Sequence, residues 1–338
     1  MLTLGIETSC DETSVSVVEG EKVLSNVVSS SVRLHKRYGG VVPEIASRFH
    51  VEYILDVLSK ALNRSGKRLS DFKLVTVTKG PGLVGALLTG ISAAKALSYS
   101  LNLPLVGVNH ILAHIYSVFL NGKRKPNFPF VGLVVSGGHT ALFFCEDIGK
   151  QKLLGQTQDD AAGEAFDKVA KILKLGYPGG PVIEKRAALS RKKKGVTFPA
   201  SYLGKESLDF SFSGLKTAVL YYVNKLRVTG HGLRVTDVND ICYGFQEAAL
   251  NVLVEKATLA ARIKKVKSVV VGGGVSANSR LREKFLDAAR FNGLEVYFPE
   301  KEYCMDNAAM VGFLGEELYK RGRRSNLYMS AQAEFGGY

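Results

Sequence analysis

The sequence predicts an α/β fold made of two similar lobes that close on one nucleotide. Two apolar hairpins support this prediction, one at residues 2–30 and one at 128–147, about 130 residues further along. The third observation is a strand that runs into a glycine turn and a helix at 266–285. With 338 residues, of which 46% are apolar, the chain is long enough and apolar enough for two globular domains.

Strands and helices alternate through the first part of the chain. In 2–30, apolar and polar side chains alternate on both sides of a short polar turn, which is typical of a hairpin that leads a sheet. Apolar residues at helical spacing predict a helix over 44–63. The elements predicted next are a strand at 72–82 that ends in a Gly-Pro-Gly turn, a buried helix at 83–101, a strand at 103–110 and a helix at 110–118.

The later part of the chain repeats this pattern. The hairpin at 128–147 has an apolar strand, a turn of small residues and a second apolar strand. Helices and loops are expected from 148 to about 265. A strand, a helix that starts between Ser276 and Ser279, and a final helix over 305–321 complete the chain. Because no low-complexity linker separates the halves, we expect them to pack closely.

The net charge of +14 favours a polyanionic partner, and nucleic acid is the first candidate. The alternative is a solvated basic surface, which is common in proteins from hot environments. No aromatic residues interleave the basic runs, so RNA contacts there would involve mainly phosphates and would weaken with salt. The runs lie at 122–126, 190–195, 263–267 and 320–324.

The cysteines and the N-terminus give an expectation about the compartment. The four cysteines form no CxxC pair, which indicates a reduced, intracellular set. Met1 leads almost directly into a strand, without a signal peptide. The longest uncharged apolar run, 80–94, contains glycines and is too short to span a bilayer. We therefore expect a soluble, cytoplasmic protein.

Three turns are candidates for binding phosphate. "ETSCDETS" at 7–14 and "SGGHT" at 136–140 place small and hydroxyl residues between two strands, where backbone amides can point at an anion. Any hairpin needs a polar turn, so each of these signals is weak by itself. "VVVGGGVSANSRL" at 269–281 is stronger because it follows an apolar strand and opens a helix. It lacks the GxGxxG pattern of a dinucleotide site.

Two of the six histidines, His110 and His114, lie four residues apart in an apolar run. On a helix they would share one face, with Cβ atoms roughly 5–6 Å apart, so both imidazoles could reach one metal. The alternative is a pair of amphipathic histidines that cover a helix edge. A metal site is favoured because the pair follows a strand end and because Asp306 offers a carboxylate ligand for Fe(II) or Zn(II). A metalloprotease would need Glu at the position of Ile111, so that chemistry is not expected.

Nine long motifs occur in order along the chain: "GIETSCDETSVSVV", "YGGVVPEIASRFH", "GPGLVGALLTG", "VNHILAHIYS", "VVSGGHT", "GEAFDKVAKILKLGYPGGP", "DFSFSGLKTAV", "GGGVSANSRLR" and "CMDNAAM". Over nearly the whole chain they resemble the universal transferase subunit that makes N6-threonylcarbamoyladenosine in tRNA, in its bacterial form. The resemblance implies the two-lobed actin-like ATPase fold of actin, hexokinase and the large heat-shock chaperones, with a mixed sheet and flanking helices in each lobe. The implied lobes are 1–112 with 306–338, and 113–305.

The same resemblance implies which residues form the site. His110, His114 and Asp306 would hold one divalent metal, Fe(II) or Zn(II), and act in catalysis through it. Some relatives carry a metal-binding Tyr just before "VSGG"; this chain has valines there, so no Tyr ligand is expected. The residues implied to line the cleft for the adenylate are Val134, Val135, Ser136, Gly137, Gly138, Asp167, Gly180, Asn278 and, as a weaker candidate, Glu184.

The implied reaction is acyl transfer to tRNA. Threonylcarbamoyl-adenylate, made by a separate synthase, would deliver its carbamoyl group to N6 of the adenosine beside the anticodon, in tRNAs that read codons starting with A. The implied partners are tRNA, a shorter paralogue of the same fold and a small ATPase. An apolar helix such as 44–63 could supply a protein interface. No membrane partner is expected.

Several alternatives stay open on the sequence. The fold alone would also allow a small-molecule kinase or a non-catalytic nucleotide-binding scaffold. Asp167 could be a helix-start carboxylate and Asn278 only a helix cap. His50 could face tRNA or support the fold. The sequence gives Glu12 and Lys79 no defined role, and Cys10 and Cys304 are expected to be buried filling.

Overall fold

The computed structural model describes residues 1–122, 124–190, 196–200, 203–204, 206–228 and 234–334. The chain divides into two compact units, of which unit 1 comprises 1–125, 147–151 and 298–338, and unit 2 comprises 126–146 and 152–297. The predicted lobe boundaries at 112/113 and 305/306 both fall inside unit 1 and stay a prediction. The basic run 190–195 lies outside the described residues, apart from Ser190.

Unit 1 is built on a five-stranded mixed sheet with strand order β3-β2-β1-β4-β5. Strand β2 pairs antiparallel with both β1 and β3, whereas β4 runs parallel to both β1 and β5. The strands are β1 (Leu2–Glu7), β2 (Glu12–Glu19), β3 (Lys22–Ser30), β4 (Leu74–Gly80) and β5 (Leu105–Asn109). The helices are α1 (Val32–His35), α2 (Pro43–Ser65), α3 (Val84–Ser100), α4 (His110–Tyr116) and, at the end of the chain, α10 (Ala308–Lys320).

The two faces of the unit 1 sheet differ in side-chain size. Large apolar residues of alternate positions, such as Leu4 and Ile6, form the core with α2 and α3. On the opposite face Gly5 lies against α10, and a Cβ added to it would stand 2.4 Å from the carbonyl oxygen of Ala308. Because side chains alternate along a strand, Glu7 points to the same face as Gly5. This alternation directs the Glu7 carboxylate toward the segment that precedes α10.

Unit 2 repeats the strand arrangement of unit 1. Its sheet has the order β10-β9-β6-β7-β8, and β6 pairs antiparallel with β7 and parallel with β9. Read from its other edge, this is the same pattern of hairpin strands followed by parallel strands as in unit 1, so the recurrence predicted from the two hairpins is confirmed. The strands are β6 (Phe130–Val135), β7 (Thr140–Asp147), β8 (Lys150–Gln156), β9 (Ser268–Gly272) and β10 (Glu295–Tyr297). The helices are α5 (Ala162–Ile172), α6 (Gly179–Ala188), α7 (Ser213–Val228), α8 (Val235–Lys264) and α9 (Ser279–Asn292).

The structure has three strands that were not predicted. Residues 2–30, predicted to form one hairpin, contain a third strand, β3. Residues 148 to about 265 were predicted to form helices and loops, but β8 forms an edge of the unit 2 sheet there. Its sequence, KQKLLGQ, has polar ends and no apolar alternation, as is common for exposed edge strands. Strand β10 has only three residues and pairs with β9. In the described part of the chain, no helix is both long and apolar enough to cross a membrane.

Candidate functional site

Three polar side chains meet at one edge of the unit 1 sheet. Glu7 ends β1, and His110 follows the last residue of β5. Since β1, β4 and β5 are parallel, their carboxyl ends lie at the same edge, where α/β sheets place their sites. Asp306 arrives from the other end of the chain, two residues before α10. The fold therefore brings together groups that are far apart in sequence.

Helix α4 gives the histidine pair its geometry. The Asn109 side chain caps the helix by accepting a hydrogen bond from Leu112 N at 3.0 Å, so the helix starts at His110 as predicted. His110 and His114 then lie one turn apart, with ring centroids separated by 4.7 Å and ring planes at 81°. His114 is fully buried and His110 is nearly so. Both rings are thus fixed in position by packing.

The two histidines converge on Asp306. Its Oδ1 atom lies 3.0 Å from Nε2 of His114 and 3.6 Å from Nε2 of His110. Two ligands that each stand about 2.0–2.1 Å from one ion are themselves separated by about 3.0 Å at a right angle and about 3.4 Å at a tetrahedral angle. The three ligand atoms, one from each residue, all lie within 4.8 Å of one another. The separations therefore fit a single divalent ion bound by two nitrogens and one oxygen.

Glu7 binds His110 through Nδ1, the ring nitrogen that does not face Asp306. Its Oε2 atom accepts a hydrogen bond from Nδ1 of His110 at 2.9 Å and another from the Thr78 hydroxyl at 2.6 Å, while the backbone N–H of Ser9 donates to Oε1. A carboxylate on Nδ1 fixes the histidine tautomer and leaves the Nε2 lone pair for a metal. His110 therefore has the arrangement of a metal ligand that a second residue holds in orientation.

The buried charges shift the pKa values of the site. Burial by itself would lower the pKa of His110, but the carboxylates of Glu7 and Asp306 outweigh it and raise this pKa to about 9. Burial would likewise raise the pKa of Glu7, and the charge and hydrogen bond of His110 outweigh it, so the Glu7 pKa is lowered. Without an ion, Glu7 and His110 form a buried ion pair. An ion that binds Nε2 must displace the His110 proton.

The residues implied to contact an adenylate all belong to unit 2. Val134 and Val135 are the buried last residues of β6, and Ser136 starts the turn into β7. Ser136 closes that turn by donating its N–H to the carbonyl of His139 and accepting the His139 N–H on its hydroxyl oxygen. The two glycines within the turn, Gly137 and Gly138, are exposed, and a Cβ on either would meet nothing within 4 Å. The turn thus presents open backbone.

The glycine turn after β9 packs against the end of β6. Gly273 has a φ of +88°, and a Cβ there would stand 2.5 Å from the carbonyl oxygen of Val135. Only glycine allows this approach without strain. A short 3₁₀ turn at Gly274–Ala277 then separates the strand from α9, so the helix begins at Ser279, within the predicted range.

The other implied adenylate contacts also have structural partners. Asp167 lies within α5 and accepts the N–H of Gly179 at the start of α6. Asn278 caps α9 and donates to the Gln246 side chain, and Glu184 accepts the N–H of Ser279. The alternative role of Asn278 as a helix cap is therefore observed. Gly180 follows Gly179, and a Cβ added to it would meet nothing within 4 Å.

Among the undecided residues of unit 1, His50 supports the fold. It is buried and joins α2 to β2 through the Thr13 hydroxyl at 2.7 Å and to the turn after β1 through the Cys10 carbonyl at 3.0 Å. Cys304 is buried, whereas Cys10 is partly exposed at the residue level, so the prediction of buried filling fits only Cys304. Glu12 is buried, and burial together with Asp11 raises its pKa well above the usual range. The structure shows Lys79 bonded through its carbonyl to Gln332 N.

The role of Glu7 was not predicted. Its position in the candidate phosphate turn at 7–14 does not mark it as a partner of His110. A usable signal exists, because a carboxylate at the end of one parallel strand and a histidine at the end of another are expected at the same sheet edge.

Sequence comparison finds one family across most of the chain. The family model for tRNA N6-adenosine threonylcarbamoyltransferase matches residues 22–313. A relative with that name from Dictyoglomus turgidum is 52% identical over 336 residues, which is 99% of this chain and 98% of the relative.

Structural comparison shows the fold. HypF from T. kodakarensis superposes with a TM-score of 0.62 at 16% identity, covering 95% of this chain and 48% of that one. The ROK hexokinase of Thermus thermophilus superposes with a TM-score of 0.50 at 15% identity, covering 95% and 100%. The predicted actin- and hexokinase-like fold is thereby confirmed.

Proposed function

The chain belongs to the tRNA N6-adenosine threonylcarbamoyltransferase family, and we propose that it transfers the threonylcarbamoyl group from threonylcarbamoyl-adenylate to N6 of the adenosine beside the tRNA anticodon. The observation that carries this proposal is the convergence of His110, His114 and Asp306 within 4.8 Å at the carboxyl edge of the unit 1 sheet. A small-molecule kinase of the same fold would have no use for this group.

We propose that these three residues hold one divalent ion, Fe(II) or Zn(II). When bound, the ion supplies a Lewis acid for the carbamoyl or threonyl oxygens of the substrate. Asp306 remains partly exposed, with 20% of its side chain accessible, so the site has an open side from which substrate can approach. Glu7 orients His110 and keeps its Nε2 directed at the ion.

In unit 2, the open backbone of Gly137, Gly138 and Gly180 is proposed to accept the adenylate. Glycines allow the backbone to approach a phosphate closely, and backbone N–H groups in a turn can bind an anion. Asp167 and Asn278 would contact the nucleotide while keeping their capping bonds. Glu184 would act through the start of α9, because it already holds the Ser279 N–H.

The chemistry needs little from the protein beyond positioning. The N6 nitrogen of adenosine attacks the carbamoyl carbon, a C–N bond forms, the C–O bond to the phosphate breaks, and AMP leaves as N6 gives up a proton. Because AMP is a good leaving group, alignment of the two substrates and stabilisation of developing charge account for most of the catalysis required. We also propose that the reaction takes place in the cytoplasm, where the tRNA substrate is found.

We expect His114→Ala to abolish threonylcarbamoyl transfer while leaving the fold intact. The variant removes one of two nitrogen ligands, so both bound metal and product should fall together. The measurement is modified nucleoside formed from supplied adenylate and tRNA, together with metal content and circular dichroism. His50→Gln is the matched control, because His50 is also a buried histidine of unit 1 but bonds Thr13 and Cys10 instead. Wild-type turnover by the His114 variant would refute the metal role.

We propose a shorter paralogue of the same fold and a small ATPase as protein partners. Exposed apolar pairs on two neighbouring helices support an interface on this side of unit 1, at Val51 and Leu55 of α2 and at Val84 and Leu88 of α3. Each pair has the i, i+4 spacing that places both side chains on one helix face.

The interface is tested by placing a charge on it. Leu55, with 72% of its surface exposed, can be replaced by Glu without loss of core packing. We expect Leu55→Glu to prevent co-elution with the shorter paralogue in size-exclusion chromatography, whereas Leu286→Glu on α9 of unit 2 does not. Co-elution of both variants would place the interface elsewhere.

A further inference from the structure

A short segment of unit 1 carries several exposed cations. The basic segment, defined here as residues 31–48, connects β3 to α2 and contains α1. Its one acid is Glu44, which leaves an excess of three positive charges over 31–48, from four cations and one anion. Within the described part of the chain none of these cations forms an ion pair. The exposed cations are Arg33, Lys36, Arg37 and Arg48.

The basic segment is attached to the turn that follows β1. Ser31 donates both its N–H and its hydroxyl to the carbonyl of Asp11, each at 2.9 Å. His35, fully buried, lies 2.9 Å from the Ser31 hydroxyl through Nε2 and accepts the Val42 N–H on Nδ1 at 3.3 Å. These bonds hold the exposed cations in a defined position relative to the sheet.

The topology places the basic segment at the same sheet edge as the metal site. Strands β1 and β3 both pair antiparallel with β2, so they run in the same direction. The carboxyl end of β3 at Ser30 therefore lies at the same edge as Glu7 and Asn109, which end β1 and β5. The strands at the two sides of this sheet are four spacings apart, or about 19 Å. An RNA strand of a few nucleotides covers that distance.

Three of the four basic runs noted in the sequence lie in the described part of the chain, apart from residue 123. Each of them lies near the amino-terminal ends of the parallel strands of its own sheet. Lys125 pairs with Glu21 in the turn between β2 and β3, next to the start of β1. Lys320 pairs with Glu316 and Glu317, and the chain then meets the start of β5. The run 263–267 precedes the first residue of β9, away from the glycine turn at the other end of that strand. The two runs of unit 1 therefore lie at the end of its sheet opposite to the site edge.

An exposed tyrosine adds a second kind of contact to the basic segment. Tyr38 is 48% exposed, and the guanidinium carbon of Arg37 lies 4.7 Å from its ring centroid. Single-stranded RNA is bound by aromatic rings that stack on bases and by cations that contact phosphates. In the basic runs that the structure describes, Arg324 lies 4.9 Å from the ring centroid of Tyr319 and Lys264 lies 5.4 Å from that of Phe144, but both of these rings are half-buried. The basic segment combines both features.

We propose that the basic segment is the surface that receives the single-stranded anticodon loop of the tRNA, with Arg33, Lys36 and Arg37 on phosphates and Tyr38 stacked on a base. The proposal rests on the proposed function, since it takes tRNA as the substrate. It assigns the RNA contact to the edge where His110, His114 and Asp306 meet, so that a base beside the contacted phosphates reaches the reacting group.

The first test neutralises the cations. Arg33→Gln/Lys36→Gln/Arg37→Gln in the full chain should bind an unmodified tRNA transcript about tenfold or more weakly at ~0.1 M salt. Its plot of log affinity against log salt should lose about 2 units of slope, because single-stranded contacts contribute about 0.7 each. The matched control is Lys264→Gln/Lys265→Gln/Lys267→Gln, at the far edge of the unit 2 sheet from its own glycine turn, which should keep wild-type affinity. Metal content should be unchanged in both variants.

The second test separates stacking from charge. Tyr38→Leu should lower affinity about tenfold with no change in salt slope, and Tyr38→Phe should restore it. Wild-type affinity in the Arg33/Lys36/Arg37 variant, or an equal loss in the far-edge control, would overturn the proposed surface. If the wild-type chain modifies tRNA and only the surface variants fail to behave as expected, the function stands and the surface is wrong. If the wild type neither binds nor modifies tRNA, both proposals fall.

Discussion

Glu7 is the residue on which the geometry of the metal site depends most. It has no exposed surface, and three donors surround its carboxylate, from Ser9, Thr78 and His110. Two oxygens with four lone pairs can accept all three bonds, whereas an amide of the same shape cannot, because its NH₂ group would face a donor. The carboxylate thus both compensates the buried charge of His110 and sets the direction of its Nε2.

Glu7→Gln should therefore weaken metal binding about 10- to 100-fold and destabilise the fold by about 1–3 kcal/mol. Competition with a chromophoric chelator measures the first effect, and urea unfolding measures the second. Glu316→Gln is the matched control, since Glu316 is equally buried but lies at the start of β1 against Met1 and Thr3. Equal metal affinity in wild type and the Glu7 variant would show that Glu7 does not orient the ligand.

His50 gives unit 1 a stability that depends on pH. Burial lowers its pKa below the usual 6.5, which outweighs the hydrogen bond to the Cys10 carbonyl. Below pH 6.5 the unfolded chain takes up a proton that the folded protein resists, so the contribution of neutral His50 is complete above that pH and is lost as the pH falls toward the folded value.

His50→Gln should consequently lower stability by about 1–3 kcal/mol at about pH 7.5, and the gap to wild type should narrow at about pH 5.5. Thermal unfolding of both proteins at the two pH values measures this difference. A gap that stays constant or widens on acidification would mean that His50 is not held in its neutral form.

At the scale of secondary-structure elements, helix α10 sets the position of Asp306. Gly312 and Gly315 let the helix approach the sheet, where a Cβ on Gly315 would stand 2.3 Å from a Thr76 methyl carbon. Small and polar side chains on this face of the sheet, including Gly5, make room for it. Because Asp306 lies just before α10, any displacement of the helix moves the carboxylate away from the histidines.

Gly5→Ala should lower stability by about 1–3 kcal/mol and weaken metal binding as well, since the new methyl would meet backbone atoms of α10 that cannot rotate away. Urea unfolding and a metal titration on the same sample provide the measurement. Gly214→Ala in the first turn of α7 is the control, because a Cβ there meets nothing within 4 Å. A stable Gly5 variant with lowered metal affinity would locate the effect in the site alone, and no change in either would contradict the packing argument.

At the scale of the whole molecule, only part of the positive charge is available to bind a polyanion. The chain has a net charge of +14, yet Lys125, Lys320 and Arg321 are paired with acids of unit 1. Paired surface charges contribute little to binding a polyanion, because their field is already partly cancelled. The cations left for RNA are therefore fewer than the net charge suggests.

Binding of tRNA by the wild-type chain should weaken linearly as the logarithm of salt concentration rises, with a slope of about −0.7 for each single-stranded phosphate contact. Fluorescence anisotropy with labelled tRNA between about 0.05 and 0.3 M salt gives the slope. Affinity that does not change across this range would contradict an electrostatic contribution to tRNA binding.

The sequence by itself determined the local elements and the ligand types. Apolar periodicity placed α2, α3 and α10 within a few residues of their observed bounds, and Asn109 and Asn278 are caps whose signal is local. The spacing of His110 and His114 depends only on helical geometry, so it too could be read from sequence. Strand β8 was missed because an edge strand need not alternate.

Only the tertiary structure decided which distant groups meet. Glu7, His110 and Asp306 are about 100 to 300 residues apart in the chain, and parallel strand direction together with the close packing of α10 brings them to one sheet edge. Within unit 1, the same topology places the basic segment and the runs at 122–126 and 320–324, which look equivalent in sequence, at opposite ends of the sheet. Sequence patterns report the environment of neighbours along the chain, whereas contact between remote side chains depends on strand order and helix position, and these are fixed only when the whole sheet forms.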